Sequence, residues 1–396
     1  MGENASFRIL YIVPYMEAAG TERHVLHLAQ GLHRHCRLGL LSPEGPLLPE
    51  FQRLGIAHRP FPRLETDVQA GLRAFRRGLR ELLRLLQPDL VHVHAGPELA
   101  VLVRTVNRRV PLVLTIHGFH GSHAEANYRL AGWLARLARV RRVIAVSQAE
   151  ARLLETGGLR PPRLVVIPNG IPVPDDPPVD WRRELGWPGD APVVGAVGRL
   201  EEPKGFDVLI EAFSRLTNEG GSVQGSNGRS EPSSPSSRAL PRLVIVGDGS
   251  RREQLERQAR ELGLEERVHL AGFRSDARGA FAGFDVTVIP SRHEPQGIVC
   301  LEAMAAGSPV IASDTGGLPD MIQHGVNGWL VPPGDAAALA RTLAEVLADP
   351  SEARKRGAAG RHRFFEEFLV DRMVQRTLAV YEETLGAMKT RAGAGR

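Results

Sequence analysis

The segment Ser291-Arg-His-Glu-Pro-Gln-Gly-Ile-Val-Cys-Leu-Glu302 sets two carboxylates, Glu294 and Glu302, on either side of a glycine. Gly297 precedes an apolar run that reads as a helix, and a glycine there allows close backbone approach. The first N–H groups of a helix lack intrahelical acceptors and sit at its positive dipole end. Gly297, Ile298 and Val299 therefore offer an anion site. Glu302 falls one turn after Ile298 on the same face, leaning toward the helix start. A carboxylate there can accept hydrogen bonds from paired ribose hydroxyls. Glu294 stands just before the helix, near where a sugar carried on a diphosphate would lie. Either glutamate alone reads first as a solvated helix-start carboxylate; the combination with Gly297 points to a ligand.

A second cluster is Gly198-Arg199, then Lys204-Gly205. Two cations flanked by glycines suit a diphosphate, Arg by planar bidentate contact and Lys as a point charge. A surface ion pair is the competing reading. Gly247 and Gly249, in Gly247-Asp248-Gly249-Ser250, make either a phosphate loop or merely a tight turn. In the first half, Ala19-Gly20-Thr21-Glu22 lies between a strand and a helix, and backbone at Gly20 can approach phosphate or acceptor. His117 follows a strand directly. His92 and His94 alternate on another strand, and histidines so placed are more often structural than catalytic. His117 is expected to face the crevice between two domains.

Other chemistries are excluded by absent motifs. There is no GxSxG, HExxH or GxxxxGK[ST], and the first βα turn lacks GxGxxG. No Asp-x-Asp exists to hold a metal–diphosphate, so no metal site and no cofactor are expected. Arg199, Lys204 and the helix start are left as the charge stabilisers.

Positioning these groups requires a scaffold. Short apolar runs alternate with amphipathic helical stretches in both halves, which predicts parallel sheets covered on both faces. In such sheets ligands bind beyond the carboxyl ends of the strands. The fold class is α/β, with two tandem Rossmann-like doubly wound domains. The expected boundaries are 1–175 for an acceptor domain, 176–190 for a Pro-rich linker, 191–369 for a donor domain and 370–396 for a last helix and frayed tail. Residues 217–239, rich in Ser, Gly, Asn and Pro, read as a disordered surface insertion.

The chain of 396 residues carries a net charge of +5. Residues 1–180 hold 23 basic and 16 acidic groups, a balance of +7. Arg-rich composition explains this blandly; an anionic acceptor or lipid surface is the functional alternative. Two helices carry that alternative. Val68–Leu86 sets Leu72, Phe75, Leu79 and Leu82 against five arginines, and Tyr128–Arg142 sets Leu130, Trp133, Leu134 and Leu137 against five more. An ordinary domain helix with a solvated face is the other reading. Few aromatics and no recognised motif exclude a nucleic-acid partner. Two cysteines without CxxC fit a reducing compartment, and no run is long enough to span a bilayer. The expected location is cytoplasmic, with the inner membrane face as a docking surface if the basic helices bind lipid.

These motifs resemble the retaining glycosyltransferases of family 4, over roughly residues 7–385 and most strongly in Gly198–Gly205 and Pro290–Gly317. The resemblance implies the GT-B fold, with two Rossmann-like domains facing across a cleft and a C-terminal helix crossing back to the first. It implies that Glu294 contacts the donor sugar and Glu302 the ribose. Arg199 and Lys204 match the diphosphate pair, and Gly297, Ile298 and Val299 the phosphate-binding backbone. Phe273 and Arg274 match the region near the nucleobase, and His117 the histidine that contacts the donor sugar. The chain departs from the pattern at Ala19, at Pro172 and at Gln296, where an aromatic residue is common. The implied reaction moves a hexose from a UDP- or GDP-sugar to an acceptor hydroxyl of a sugar, lipid or small molecule, in glycan, glycolipid or envelope polysaccharide synthesis. A sugar-nucleotide epimerase, a phosphorylase and a non-catalytic binding module are the alternatives.

Overall fold

A computed structural model of the chain describes residues 7–17, 20–63, 68–119, 124–219, 239–274 and 276–393. Ala19 and most of the expected insertion, residues 220–238, lie outside the described residues, as does 394–396 of the tail. The chain divides into two units, one of Met1–Pro172 with Phe368–Arg396 and one of Val173–Glu367.

The first unit holds seven parallel strands: β1 (Phe7–Ile12), β2 (Cys36–Ser42), β3 (Ala57–Pro60), β4 (Leu90–His94), β5 (Leu112–Ile116), β6 (Arg142–Ala145) and β7 (Leu164–Val166). Their order is β3-β2-β1-β4-β5-β6-β7. The second unit holds six: β8 (Val193–Val197), β9 (Arg242–Val246), β10 (Val268–Gly272), β11 (Val286–Ile289), β12 (Val310–Ser313) and β13 (Trp329–Val331), in the order β10-β9-β8-β11-β12-β13. Both are doubly wound Rossmann-like sheets, in which strand order reverses between β1 and β4 and between β8 and β11.

The central strands are buried because helices cover both faces, and β4, β5 and β11 among them are apolar except at His92, His94, Thr115 and Thr287. Leu10, Ile12, Val91, Val93 and Leu114 enter one core with Phe75, Leu79 and Leu82, while Ile9, Tyr11, Leu40 and Val113 enter the other. That second core also takes Met373, Val374, Val380 and Tyr381 from the last helix, Val370–Gly393. The helix runs beyond the end expected near Ala387, so Lys389 to Gly393 is helical where fraying was expected. Its connection is pinned by Ile171 N donating to Phe368 O at 3.1 Å and Val370 N to Ile171 O at 3.0 Å.

The stretch 176–190, expected as a linker, is instead built into the second unit. A short helix, Trp181–Glu184, buries Trp181 completely against Phe284, and its indole N–H donates to Ala280 O at 3.1 Å. Proline density signalled irregular backbone but masked this anchor. Strands β3 and β13 were not expected either. Each is a short sheet edge, and β3, Ala-His-Arg-Pro, has no apolar run to mark it.

Candidate active site

In the second unit the loops after β8 and β11 flank the point where strand order reverses, which is where a doubly wound sheet opens a crevice. The loop after β8 carries Gly198, Arg199 and Lys204; the loop after β11 carries Ser291 to Gly297. Lys204 ends a single 3₁₀ turn, Glu202–Lys204. Gly205 follows at φ +67°, and a Cβ there would lie 2.1 Å from Pro290 O. Only glycine lets this turn settle onto the end of β11. Arg292 N then donates to Pro203 O at 2.8 Å, and the Arg292 guanidinium grips both Asp207 oxygens at 2.8 and 2.7 Å. The two loops are thus stitched by backbone and by a bidentate ion pair, which holds the Asp207 carboxyl below its ordinary pKa.

At the centre, Lys204 Nζ donates to Glu294 Oε2 at 2.6 Å, and Ser291 Oγ donates to the same oxygen at 3.2 Å. Glu294 is buried, with a side chain 9% exposed, while Lys204 keeps 24%. The turn after β12 fixes the Glu294 backbone from behind. Gly317 N donates to Glu294 O at 2.9 Å, and Gly316 sits at φ +55° with its would-be Cβ 1.8 Å from that oxygen. The helix Ile298–Ala306 starts four residues after Glu294, capped by Gly297 at φ +89°. Its first amides, at Ile298 and Val299, project from the helix end, and Cys300 N turns back to Gly297 O at 3.0 Å. Glu302 lies partly buried one turn in. Arg199 is exposed; its carbonyl accepts from Glu201 N at 2.8 Å, and its guanidinium makes no ion pair among the described residues. A fixed ammonium, an available guanidinium and helix-start amides are the groups an anionic oxygen cluster needs.

The loop after β9 joins the same rim. Leu200 N donates to Asp248 O at 2.9 Å, and Ser250 donates to Glu201 through both N and Oγ, at 3.1 and 2.7 Å. Gly247 N pairs with Gly272 O at 2.8 Å and Gly249 N with Asp248 Oδ1 at 2.8 Å. Both glycine amides are therefore occupied within the protein, which fits a tight turn better than a phosphate loop. Phe273, after β10, is 79% exposed. Arg274 is committed elsewhere: it pairs with Glu184, grips Asp276 at 2.8 Å twice, and stacks over Trp181. Its guanidinium serves the Trp181 anchor, whereas the resemblance implied only a place near the nucleobase.

The first unit gathers histidines at its own switch point. His24 lies in the helix Gly20–Leu32 that follows β1, His94 ends β4, and His117 follows β5. Gly20 opens that helix. His24 Nδ1 meets Asn169 Oδ1 at 2.7 Å and His94 Nδ1 meets His117 Nε2 at 3.3 Å. Behind them His92 is held between the Tyr381 hydroxyl at 2.6 Å and Thr115 Oγ1 at 2.8 Å. Burial pushes all four imidazoles down, His24 to about 4 and the others well below the ordinary value. They are neutral hydrogen-bonding rings at neutral pH. Ring nitrogens of His24, His94 and His117 lie within 4.8 Å of one another, a spacing that would admit a metal ion. The hydrogen bonds to Asn169 and between His94 and His117 account for that spacing without one.

The loop bearing His117 has its own support. Phe119 N donates to the Tyr128 hydroxyl at 3.1 Å, and that hydroxyl donates to Glu150. Glu150 is fully buried, and burial raises its carboxyl to about 7.

The glycosyl transferases group 1 profile matches residues 179–363 and the glycosyltransferase family 4 profile matches residues 18–173. The 2-deoxystreptamine N-acetyl-D-glucosaminyltransferase of Streptomyces fradiae is 31% identical over 362 residues, covering 84% of this chain and 82% of that one. This chain belongs to the group 1, family 4 glycosyltransferases. A D-inositol 3-phosphate glycosyltransferase of Acidothermus cellulolyticus is likewise 31% identical, over 89% of this chain and 81% of its own. Among solved structures, Anabaena HepE in complex with UDP superposes with a TM-score of 0.76 at 26% identity, covering 95% of this chain and all of HepE. The fold is thus GT-B, and the protein is a glycosyltransferase.

Several residues that shape the glycosyltransferase site gave little sign in the sequence. Gly316 acts on Glu294 from a distance in sequence, the Arg292–Asp207 pair joins two loops 85 positions apart, and Ser291, though only three residues from Glu294, carries no motif of its own. The Gly316-Gly317 doublet was the one available signal. His24, Asn169 and Tyr381 come from three different segments that only the fold assembles.

Proposed function

We propose that this glycosyltransferase takes a hexose from a nucleoside-diphosphate sugar, in the first instance a UDP-hexose, and transfers it with retention to an acceptor hydroxyl. The observation that carries this reading is the Lys204–Glu294 ion pair, fixed beside the helix start at Gly297 where strand order reverses. The complex of HepE with UDP and glucose, at 25% identity, supports a uridine donor. Relatives named for 2-deoxystreptamine and for inositol 3-phosphate support a polyol or sugar acceptor, and those named for lipopolysaccharide core biosynthesis support a glycolipid.

In this reading Arg199, Lys204 and the amides of Gly297, Ile298 and Val299 receive the diphosphate. Glu302 takes the ribose hydroxyls, Glu294 and His117 the hexose, and the exposed Phe273 ring offers a stacking face to the base. As the anomeric C–O bond to diphosphate breaks, negative charge builds on the leaving oxygen, where preorganised cations and amides stabilise it most. The acceptor oxygen bonds to the same face of the anomeric carbon, and its proton passes to a diphosphate oxygen. No protein nucleophile and no metal are required, so turnover is expected to persist in EDTA.

The test is release of nucleotide from a panel of UDP- and GDP-sugars, with NMR assignment of the product anomer. Preference for one donor and a product anomer matching it are expected. An inverted product, or a covalent glycosyl–protein adduct, would overturn the proposal.

A further inference from the structure

Two basic amphipathic helices look alike in the sequence, and the structure separates them. In Val68–Leu86 the large apolar residues Phe75, Leu79, Leu82 and Leu86 are buried in the core, so that helix is an ordinary domain helix. In Ala124–Leu137 the arrangement is reversed. Apart from Tyr128, its buried face is made of small residues, Ala131, Gly132 and Ala135. The close approach is tight enough that a Cβ on Gly132 would lie 2.4 Å from Gly157 O. The large apolar side chains turn outward instead: Leu130, Trp133 and Leu137 are 50%, 52% and 53% exposed. Spaced at i, i+3 and i+7, they form one stripe along the solvent side.

The end of this stripe meets a belt of arginines on the side of the sheet opposite the site-bearing strand ends. Arg104 donates to Ala138 O and Val110 O, each at 2.6 Å, which brings the turn holding Arg108 and Arg109 beside exposed Arg139. Arg141, Arg142, Arg160 and Arg163 line a shallow cavity of about 370 Å³ just beyond. Glu125 is paired with Arg129, and Glu383 with Arg142 at 3.6 Å.

We propose that this face docks on an anionic membrane, with Leu130, Trp133 and Leu137 entering the headgroup–acyl boundary and the arginine belt resting on lipid phosphates. Charge complementarity selects this occupant. A protein partner covering an apolar stripe does not need a one-signed belt, whereas an indole and leucines beside clustered arginines are what an anionic interface retains.

The experiment is co-sedimentation of the full chain with vesicles of phosphatidylcholine plus phosphatidylglycerol, against phosphatidylcholine alone. Binding is expected only to the anionic vesicles, and it should fall as salt shortens the screening length toward about 3 Å near 1 M. Arg139→Ser with Arg141→Ser should weaken it about 25-fold, since each basic residue near such a surface contributes on the order of fivefold. Trp133→Ala with Leu137→Ala should weaken it more than about tenfold. Both pairs are exposed, so circular dichroism and melting should match the wild type. Brominated lipid should quench tryptophan fluorescence, and Trp133→Phe should abolish the quenching. Equal binding to neutral vesicles, unchanged quenching in Trp133→Phe, or a dimer that dissociates in the Trp133/Leu137 variant without any vesicle binding would each overturn the proposal. None of these readouts depends on the donor or the transferase reaction.

Discussion

Lys204 Nζ and Glu294 Oε2 lie 2.6 Å apart although ninety positions separate them in the chain; Lys204 ends a single 3₁₀ turn and Glu294 lies in a loop. Their meeting depends on two glycines that allow backbone to touch backbone, Gly205 against Pro290 and Gly316 against Glu294. The pair is a charge-assisted hydrogen bond in a mostly buried setting. It holds the ammonium at the switch point and orients the carboxylate.

Glu294→Gln tests the pair itself. Removing one partner of a fully buried ion pair costs about 3–5 kcal/mol. Lys204 keeps some exposure to water, so the expected loss of stability is smaller, about 1–3 kcal/mol. Denaturant melts with and without UDP check this. A wild-type midpoint would mean that the ion pair does not hold the loop.

Gly316→Ala should be disproportionately harmful for a single methyl. The added carbon would meet Glu294 O at 1.8 Å, in a left-handed backbone that alanine resists. The turn must shift and Glu294 with it. The measurement is donor turnover beside melting temperature; turnover falling about tenfold or more is expected. A variant with full turnover would show that Glu294 tolerates displacement.

Glu150 sets a pH dependence of one sign. Burial raises its folded pKa to about 7, from an ordinary 4.5. The folded protein therefore holds this proton more tightly than the unfolded chain does. That contribution is complete below the unfolded value and is lost as pH rises through about 7. Glu150→Gln removes the ionisation while keeping a hydrogen-bonding side chain against Tyr128. Relative to wild type, the variant should gain stability between pH 5 and pH 8, by up to about 3 kcal/mol. Parallel melting curves across that range would contradict the buried neutral carboxyl.

The histidines set the opposite sign. His24 is depressed to about 4, and His92, His94 and His117 lie well below their ordinary value. Each contributes stability present above the unfolded pKa near 6.5, which is lost as pH falls toward the folded value. Acid unfolding should begin below about pH 6. His92→Gln, which keeps polar contact with Tyr381 and Thr115 without charging, should make that limb shallower. An unchanged limb would remove His92 from the account.

Most of the scaffold was legible because buried parallel strands are continuous apolar runs. β1, β5, β8, β9 and β11 announce themselves that way, and β4 does so despite its two histidines. The edges β3 and β13 do not: β3, Ala-His-Arg-Pro, lacks an apolar run, and β13, Trp-Leu-Val, is only three residues long. Of the site, the residues bound to the ends of central strands could be read: Arg199, Lys204, Glu294 and Gly297. What could not be read was whatever depends on contacts across the chain. Arg274, matched to the region near the nucleobase, is held by Glu184 and Asp276, which no local pattern marks. Gly247 and Gly249 fitted a phosphate loop and a tight turn equally, and only their paired amides favour the turn. The two arginine-rich helices differed only in which face met the core, and in Ala124–Leu137 the small residues Ala131, Gly132 and Ala135 were the sign.

The assignment of the diphosphate to Arg199 and Lys204 rests most directly on turnover of a UDP-hexose by Arg199→Ala and Lys204→Ala. Both variants should fold, by circular dichroism and cooperative melting, with Lys204→Ala melting lower because it leaves buried Glu294 unpaired. Each should lose on the order of 10²-fold in kcat, as removal of one preorganised electrostatic donor commonly does. Near-normal kcat in both would contradict the assignment.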